Sequence, residues 1–249
     1  MADDPGRTSD SADGTTADAA TGPSTGTAPV TANPSYVMLR HDIVERVPSS
    51  ADRILDVGAA DGTLGAFLLE QRPGREVHGI EADPHLAATA ASRLTSLHTG
   101  DAEAVDWAGF DDDGPFDCAV LGDVLEHLRD PGAVLAAVAD RVAPGGTVIV
   151  SVPNIRHVSA GWSIFVRGSF PRRSRGLFDA THLRWFTRRD TVEMVHAAGL
   201  RVTGVGYNLR LLDRPGGSIN EWVARQHWIT RVPLLRELLG YQLLVTATR

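Results

Sequence analysis

ILDVGAADGTLG (residues 54–65) carries a strand into a glycine turn and then into a helix. RILDVG (53–58) reads as a buried strand, and residues 62–71 have helical spacing. Gly58 and Gly62 let the backbone turn tightly and let a ligand approach with no Cβ in the way. The spacing is G-x-x-x-G and then Gly65. Dinucleotide sites use G-x-G-x-x-G, so a nicotinamide oxidoreductase is a distant reading.

Outward from this turn, strands and helices alternate. EVHGIEAD (76–83), SLHTGD (96–101), FDCAVLGD (116–123) and GTVIVSVP (146–153) read as strands. Residues 84–94 and 131–142 read as helices, and Pro144-Gly145-Gly146 is expected to end the second of these and open the next strand. Strict alternation implies a parallel sheet covered on both faces. Right-handed crossovers then bring the carboxyl ends of the strands to one edge, where ligands bind near the reversal of strand order. Upstream, residues 36–47 allow an amphipathic helix that ends at Pro48. Downstream, residues 155–186 have no clean period. Thr187 and Asp190 look like the cap and third position of a helix closed by Gly199. Residues 200–212 and 241–248 read as two closing strands, with a helical stretch between them interrupted by Pro233. The expectation is an α/β, doubly wound, seven-stranded sheet, mostly parallel with an antiparallel closing strand.

Three strand ends describe a nucleoside pocket. Glu81, in GIEADP, lies about 20 residues beyond the glycine turn, where a carboxylate can accept both hydroxyls of a ribose. Asp101 and Ala102, in GDAE, are placed at the same edge, where a carboxylate can accept from an exocyclic amine and a backbone N–H can donate to a ring nitrogen. Singly, each strand-end carboxylate could merely cap the next helix. Together they suit an adenosine.

On these residues the chain resembles the class I S-adenosylmethionine (SAM)-dependent methyltransferases. LDVGAADGTLG is similar to their first motif, with Ala60 where glycine or cysteine is common. GIEADP, GDAE and FDCAVLGDVLEHLRDP (116–131) are similar to the next three, and APGGTVIVSVPN (143–154) to the segment that follows. SVPNIRH and GLFDATHLRWFT resemble a segment of a small-molecule branch that includes ubiquinone- and methionine-biosynthesis-type enzymes. The resemblance covers about residues 34–210 and implies a Rossmann-like domain over 34–249. It implies SAM as cofactor, with contacts from Asp56, Gly58, Gly62, Glu81, Asp101, Ala102 and Gly122.

Methyl transfer from a sulfonium is an in-line displacement whose leaving group departs neutral, so alignment and exclusion of water matter most. An oxygen nucleophile also needs a base. His182, in DATHLRWF, and His127, in DVLEHL, are the candidates, each with a packing role as the alternative. Asp123, Glu126 and His127 form D-x-x-E-H, similar to the E-x-x-E-H with which some ubiquinone-type methyltransferases hold a divalent cation. The first acid is shorter here, and no metal is assigned.

Residues 155–189 contain eight arginines and one acid, Asp179, in a chain of net charge −7. Such a cover could steer an anionic substrate, or its arginines could pair with acids elsewhere. Phe and Trp side chains interleave with them. The acceptor is expected to be a small anionic or aromatic metabolite methylated on oxygen, nitrogen or carbon. RNA methylation is the second reading, opposed by a pI near 5.7 and the lack of an RNA-binding module. A non-catalytic SAM-binding protein is the third. The sequence does not speak to oligomeric state.

Residues 1–33 are rich in Ala, Thr, Ser, Gly, Pro and Asp, with five Asp against one Arg, and are expected to be a disordered acidic tail. The single cysteine, Cys118, lies in an apolar run and reads as a buried strand position. No apolar stretch approaches a bilayer span and no signal peptide is recognisable, so the expectation is a cytoplasmic protein with no membrane span.

Overall fold

The computed structural model describes residues 38–107, 114–213 and 216–249. The expected acidic tail at 1–33 lies outside them. The chain order is α1 (His41–Val44), β1 (Arg53–Val57), α2 (Thr63–Gln71), β2 (Glu76–Glu81), α3 (Pro84–Ala90), β3 (Ser96–Thr99), β4 (Phe116–Gly122), α4 (Pro131–Arg141) and β5 (Val142–Pro153). Then follow α5 (Val158–Gly161), α6 (Arg188–Ala197), β6 (Arg201–Leu209), α7 (Ser218–Ala224), α8 (Pro233–Leu239) and β7 (Gly240–Thr248). The strands form one sheet in the order β3-β2-β1-β4-β5-β7-β6. The first five are parallel, and β7 runs antiparallel to both β5 and β6. This is the expected Rossmann-like α/β sheet with an antiparallel closing strand.

Alternation along the strands fills two cores. Leu55, Val57, Ala119 and Leu121 pack on the face covered by α4 and α6, with Leu135, Val138 and Val195. Ile54, Val77, Cys118 and Val120 pack on the other, with Ile43, Leu68 and Ala90. Cys118 is fully buried, and burial pushes its thiol up to about 12, so it is an inert core side chain. The strand order reverses between β1 and β4. Their carboxyl ends therefore open a crevice at the edge where ligands bind in such sheets.

Several boundaries depart from the sequence reading. Among the described residues, the helix expected over 36–47 is a single turn, His41–Val44; Arg40 before it supplies no side-chain cap and pairs with Asp42 and Asp123. The helix expected over 84–94 ends at Ala90, with turns continuing to Leu94. Pro144-Gly145-Gly146 does not open β5. The strand begins at Val142, opposite Phe116, and the three residues form a bulge before Thr147 pairs with Cys118. Gly145 makes this possible at φ +83°, and its N–H donates to the Arg249 carbonyl. Pro233 starts α8, where its lost N–H costs nothing. The cap at Thr187 is a complete capping box with Asp190.

Candidate active site

The glycine turn is fastened to the tip of β2. Gly58 and Ala59 donate to the Ile80 carbonyl at 2.8 and 3.0 Å. Ala60 N–H donates to Glu81 Oε2 at 2.8 Å, and Asp83 N–H donates to Oε1 at 2.8 Å. Glu81 is thus held by one backbone donor on each oxygen, with lone pairs left for two further donors. Gly58 and Gly62 sit at φ +77° and +80°, and a Cβ on Gly58 would lie 3.1 Å from Val124 Cβ. Only glycine satisfies both the dihedral and the close approach of the turn after β4.

Ala60 also adopts a left-handed backbone, at φ +50°. An L side chain is strained there by about 1 kcal/mol. Ala60→Gly is therefore expected to raise stability by roughly 0.5–1 kcal/mol, read as a higher urea midpoint at constant m-value. A lower midpoint would show that the methyl group packs usefully.

Asp56 lies on β1, two residues before Gly58. It is 3% exposed, no protein donor meets it among the described residues, and burial with the nearby Glu81 charge raises its carboxyl to about 7. A buried, unpartnered carboxylate beside a glycine turn is suited to a cationic ligand group. Asp101 lies beyond the end of β3, exposed, with Oδ1 accepting from Glu103 N–H at 2.9 Å. Ala102 is buried beside it. Gly122 ends β4, and a Cβ there would lie 3.0 Å from Ile43 Cδ1, so its small size also serves packing under α1.

Past β4, the 3₁₀ turn Leu125–His127 points Glu126 and His127 toward the cover. Leu183 and Arg184 donate backbone N–H groups to the Glu126 carbonyl at 2.8 and 3.0 Å. That strap delivers His182. Its Nε2 is 4.0 Å from Glu126 Oε1, too long for a direct hydrogen bond, and its ring meets His127 edge-on at 4.9 Å between centroids. His182 Nδ1 and Glu126 Oε2 are buried with no hydrogen-bond partner among the described residues. Desolvation, with His127 alongside, lowers His182 to about 4. Desolvation also lowers His127, against the Thr181 carbonyl and nearby acids. Burial, reinforced by the Asp123 charge, raises Glu126 well above the usual carboxylate range. Both imidazoles are therefore neutral at pH 7 and offer lone pairs.

Glu126, His127 and His182 each offer a ligand atom, and these atoms lie within 4.8 Å of one another. Asp123 does not join them, contrary to the D-x-x-E-H reading. It turns away at φ +57° to accept from Arg40 Nη1 and Gln242 Nε2. Arg40 also donates to Asp42 and to Ser151 Oγ at 2.8 Å. Burial works against the Arg40 charge, but Asp123 and Asp42 more than offset it and hold it firmly protonated. Sequence reasoning missed this arginine, because its partner is 83 positions away.

The cover is built rather than loose. Leu177 and Phe178 are buried with Ala160 and Tyr241, and Trp185 Nε1 donates to the Leu177 carbonyl at 3.1 Å. Several of its arginines are engaged: Arg156 with Glu237 at 3.5 Å, Arg173 with Asp213 at 2.6 Å, and Arg189 with Glu193 at 2.7 Å. Arg172 and Arg184 donate to the carbonyls of Ala180 and Arg129, both at 2.6 Å.

A family described as a methyltransferase domain matches residues 35–205, the whole span that builds this edge. The chain belongs to that family. The ubiquinone biosynthesis O-methyltransferases of Xylella fastidiosa (strain 9a5c) and Xanthomonas campestris pv. campestris (strain B100) are 36% and 32% identical to it over 117 residues. Those matches span 45% of this chain and 46% and 47% of the relatives, so it aligns with about half of their length. A SAM-dependent methyltransferase from Archaeoglobus fulgidus superposes with a TM-score of 0.58 at 15% identity, over 84% of this chain and 90% of that one. One from Mesorhizobium loti gives 0.55 at 17%, over 84% and 96%. These two likenesses bear on the fold. The methyltransferase-domain chain thus has a Rossmann-like sheet of the kind those structures share. Among the described residues, no helix is long and apolar enough to cross a membrane.

Proposed function

We propose that the chain transfers the SAM methyl group to a hydroxyl oxygen of a small aromatic or anionic acceptor, with His182, beside Glu126, taking the hydroxyl proton. The observation that carries this reading is the buried Glu126–His127–His182 cluster, with two unpaired polar atoms, beside the glycine turn. In the transfer, the acceptor oxygen bonds to the methyl carbon as the sulfur–carbon bond breaks. S-adenosylhomocysteine leaves neutral, and the proton passes to His182. The Glu126 carboxyl group, 4.0 Å from Nε2, faces the imidazolium that forms. The relatives matched above are named as O-methyltransferases, which supports oxygen as the acceptor atom. We assign Asp56 and the turn from Gly58 to Gly62 to the methionine end of SAM, Glu81 to the ribose, Asp101 and Ala102 to the adenine, and Gly122 to the floor of the site.

His182→Ala is expected to lower kcat by about 10²–10⁴-fold, with little change in the Kd of SAM. The assay follows S-adenosylhomocysteine release with a panel of phenols, catechols and hydroxy acids. Because His182 stays neutral to about pH 4, the wild-type acid limb is expected to lie below the ordinary histidine range. An unchanged kcat in the variant defeats the base assignment.

The same three side chains favour a second reading, in which a divalent transition metal is held by Glu126, His127 and His182. It would supply a Lewis acid that lowers the acceptor's pKa. Loss of activity after chelation, restored by zinc or manganese, selects this reading over the base.

A further inference from the structure

We propose that the cover and the insertion between β6 and β7 form a docking surface for an anionic lipid bilayer. The chain has five tryptophans. Trp162, Trp222 and Trp228 are 58%, 60% and 53% exposed, although tryptophan is normally among the more buried side chains. All three lie on these two segments. Around them Phe165 is 87% exposed and Val166 is 61% exposed, in the π-helical turn Trp162–Val166 that follows α5. That turn is two-sided. Ser163 faces inward, as does Ala160 of α5 just before it, while Trp162, Phe165 and Val166 face outward, so the apolar side is presented and not left over from the core.

The two segments are neighbours. His157 Nε2 donates to the Arg210 carbonyl at 2.9 Å, Arg156 pairs with Glu237 and Arg173 pairs with Asp213. Charge identifies the occupant. The cover stretch has eight arginines against one acid in a chain of net charge −7. Arg167 and Arg175 are exposed with no partner among the described residues. Aromatic side chains over arginines are the pattern of segments that lie in a membrane interface. A two-fold dimer that pairs this face with itself would set these arginines against their like, whereas an anionic bilayer complements them. Bound this way, the cover segment that also carries His182 adjoins the lipid, and an amphiphilic acceptor can enter from the bilayer. That last step rests on the proposed function, whereas the docking does not.

The test is cosedimentation of the full-length chain with vesicles of phosphatidylcholine alone and of phosphatidylcholine mixed with phosphatidylglycerol, at low and high salt, with SAM binding measured in parallel. Binding only to the anionic vesicles, weakened by salt and accompanied by a blue shift of tryptophan emission, is the expected result. F165S/V166S and R167E/R175E are each expected to reduce partitioning by about tenfold or more while leaving SAM affinity unchanged. Absence of binding to anionic vesicles at low salt overturns the proposal, as does undiminished binding by both variants. A dimer in solution that F165S/V166S dissociates, or RNA binding without vesicle binding, overturns it in favour of that partner. Vesicle binding with no methyl transfer to any hydroxyl acceptor leaves the docking intact and removes the function proposed above.

Discussion

Asp56→Asn is expected to make the cofactor-free protein more stable at pH 8 and to weaken its binding of SAM. The Asp56 carboxyl rises from 3.8 to about 7 in the folded state, chiefly because burial strips it of water and secondly because Glu81 is near. A raised carboxylate opposes folding above its unfolded value. The penalty is absent below pH 3.8, grows as pH rises toward 7 and is complete above that. The shift corresponds to about 4 kcal/mol at full ionisation. Asparagine removes the charge but leaves a buried amide short of partners, which costs roughly 1–3 kcal/mol. The net gain at pH 8 is then on the order of 1–3 kcal/mol, and it should vanish or reverse near pH 4. Urea titrations of both proteins at the two pH values measure it. SAM carries an ammonium and a sulfonium, so the variant should lose a charge-assisted contact and about tenfold or more in Kd by calorimetry. A variant less stable at pH 8 would show that the Asp56 charge is already compensated. Residues that cost stability and improve ligand binding are expected where a site is arranged before its ligand arrives.

The parts that were legible in sequence are those that local chemistry decides. The β1 run, the positive-φ glycines and the Thr187–Asp190 box each need only a few adjacent residues, and each appears where the sequence puts it. The β5 boundary was misread because it is set by a partner: Val142 joins the ladder opposite Phe116, and proline and glycine are absorbed as a bulge. Of the helix expected over 36–47, the described residues hold the turn His41–Val44, behind an Arg40 whose guanidinium is claimed by Asp42 and Asp123. The same pair explains why D-x-x-E-H misled. Spacing put Asp123 with Glu126 and His127, yet left-handed backbone at Asp123 aims it at β7. His182 took its place through the strap on the Glu126 carbonyl, from a segment with no period to read. The cover's charge was legible, but not its pairing with acids such as Asp213 and Glu237.

Glu81→Gln, a nearly isosteric change, is expected to raise the Kd of SAM by about 100-fold. Both carboxylate oxygens accept backbone N–H groups, from Ala60 and from Asp83, at 2.8 Å each. Glutamine has one acceptor and one NH2 group. Whichever way it turns, NH2 faces one of those donors, and a backbone N–H at the site loses its acceptor. A ribose placed here would also lose one of its two acceptors and the charge behind the other. Charge-assisted hydrogen bonds are worth about 1.5–3 kcal/mol each, so two such losses reach the stated effect. If the NH2 group faces Ala60, the strained turn is released as well, which hydrogen exchange at Ala60 and its neighbours would report. S-adenosylhomocysteine has the same ribose and lacks only the methyl group and its charge, so its affinity should fall in parallel with that of SAM. A loss confined to SAM would put Glu81 near the sulfonium, and equal affinities in variant and parent would remove the ribose from this strand end altogether.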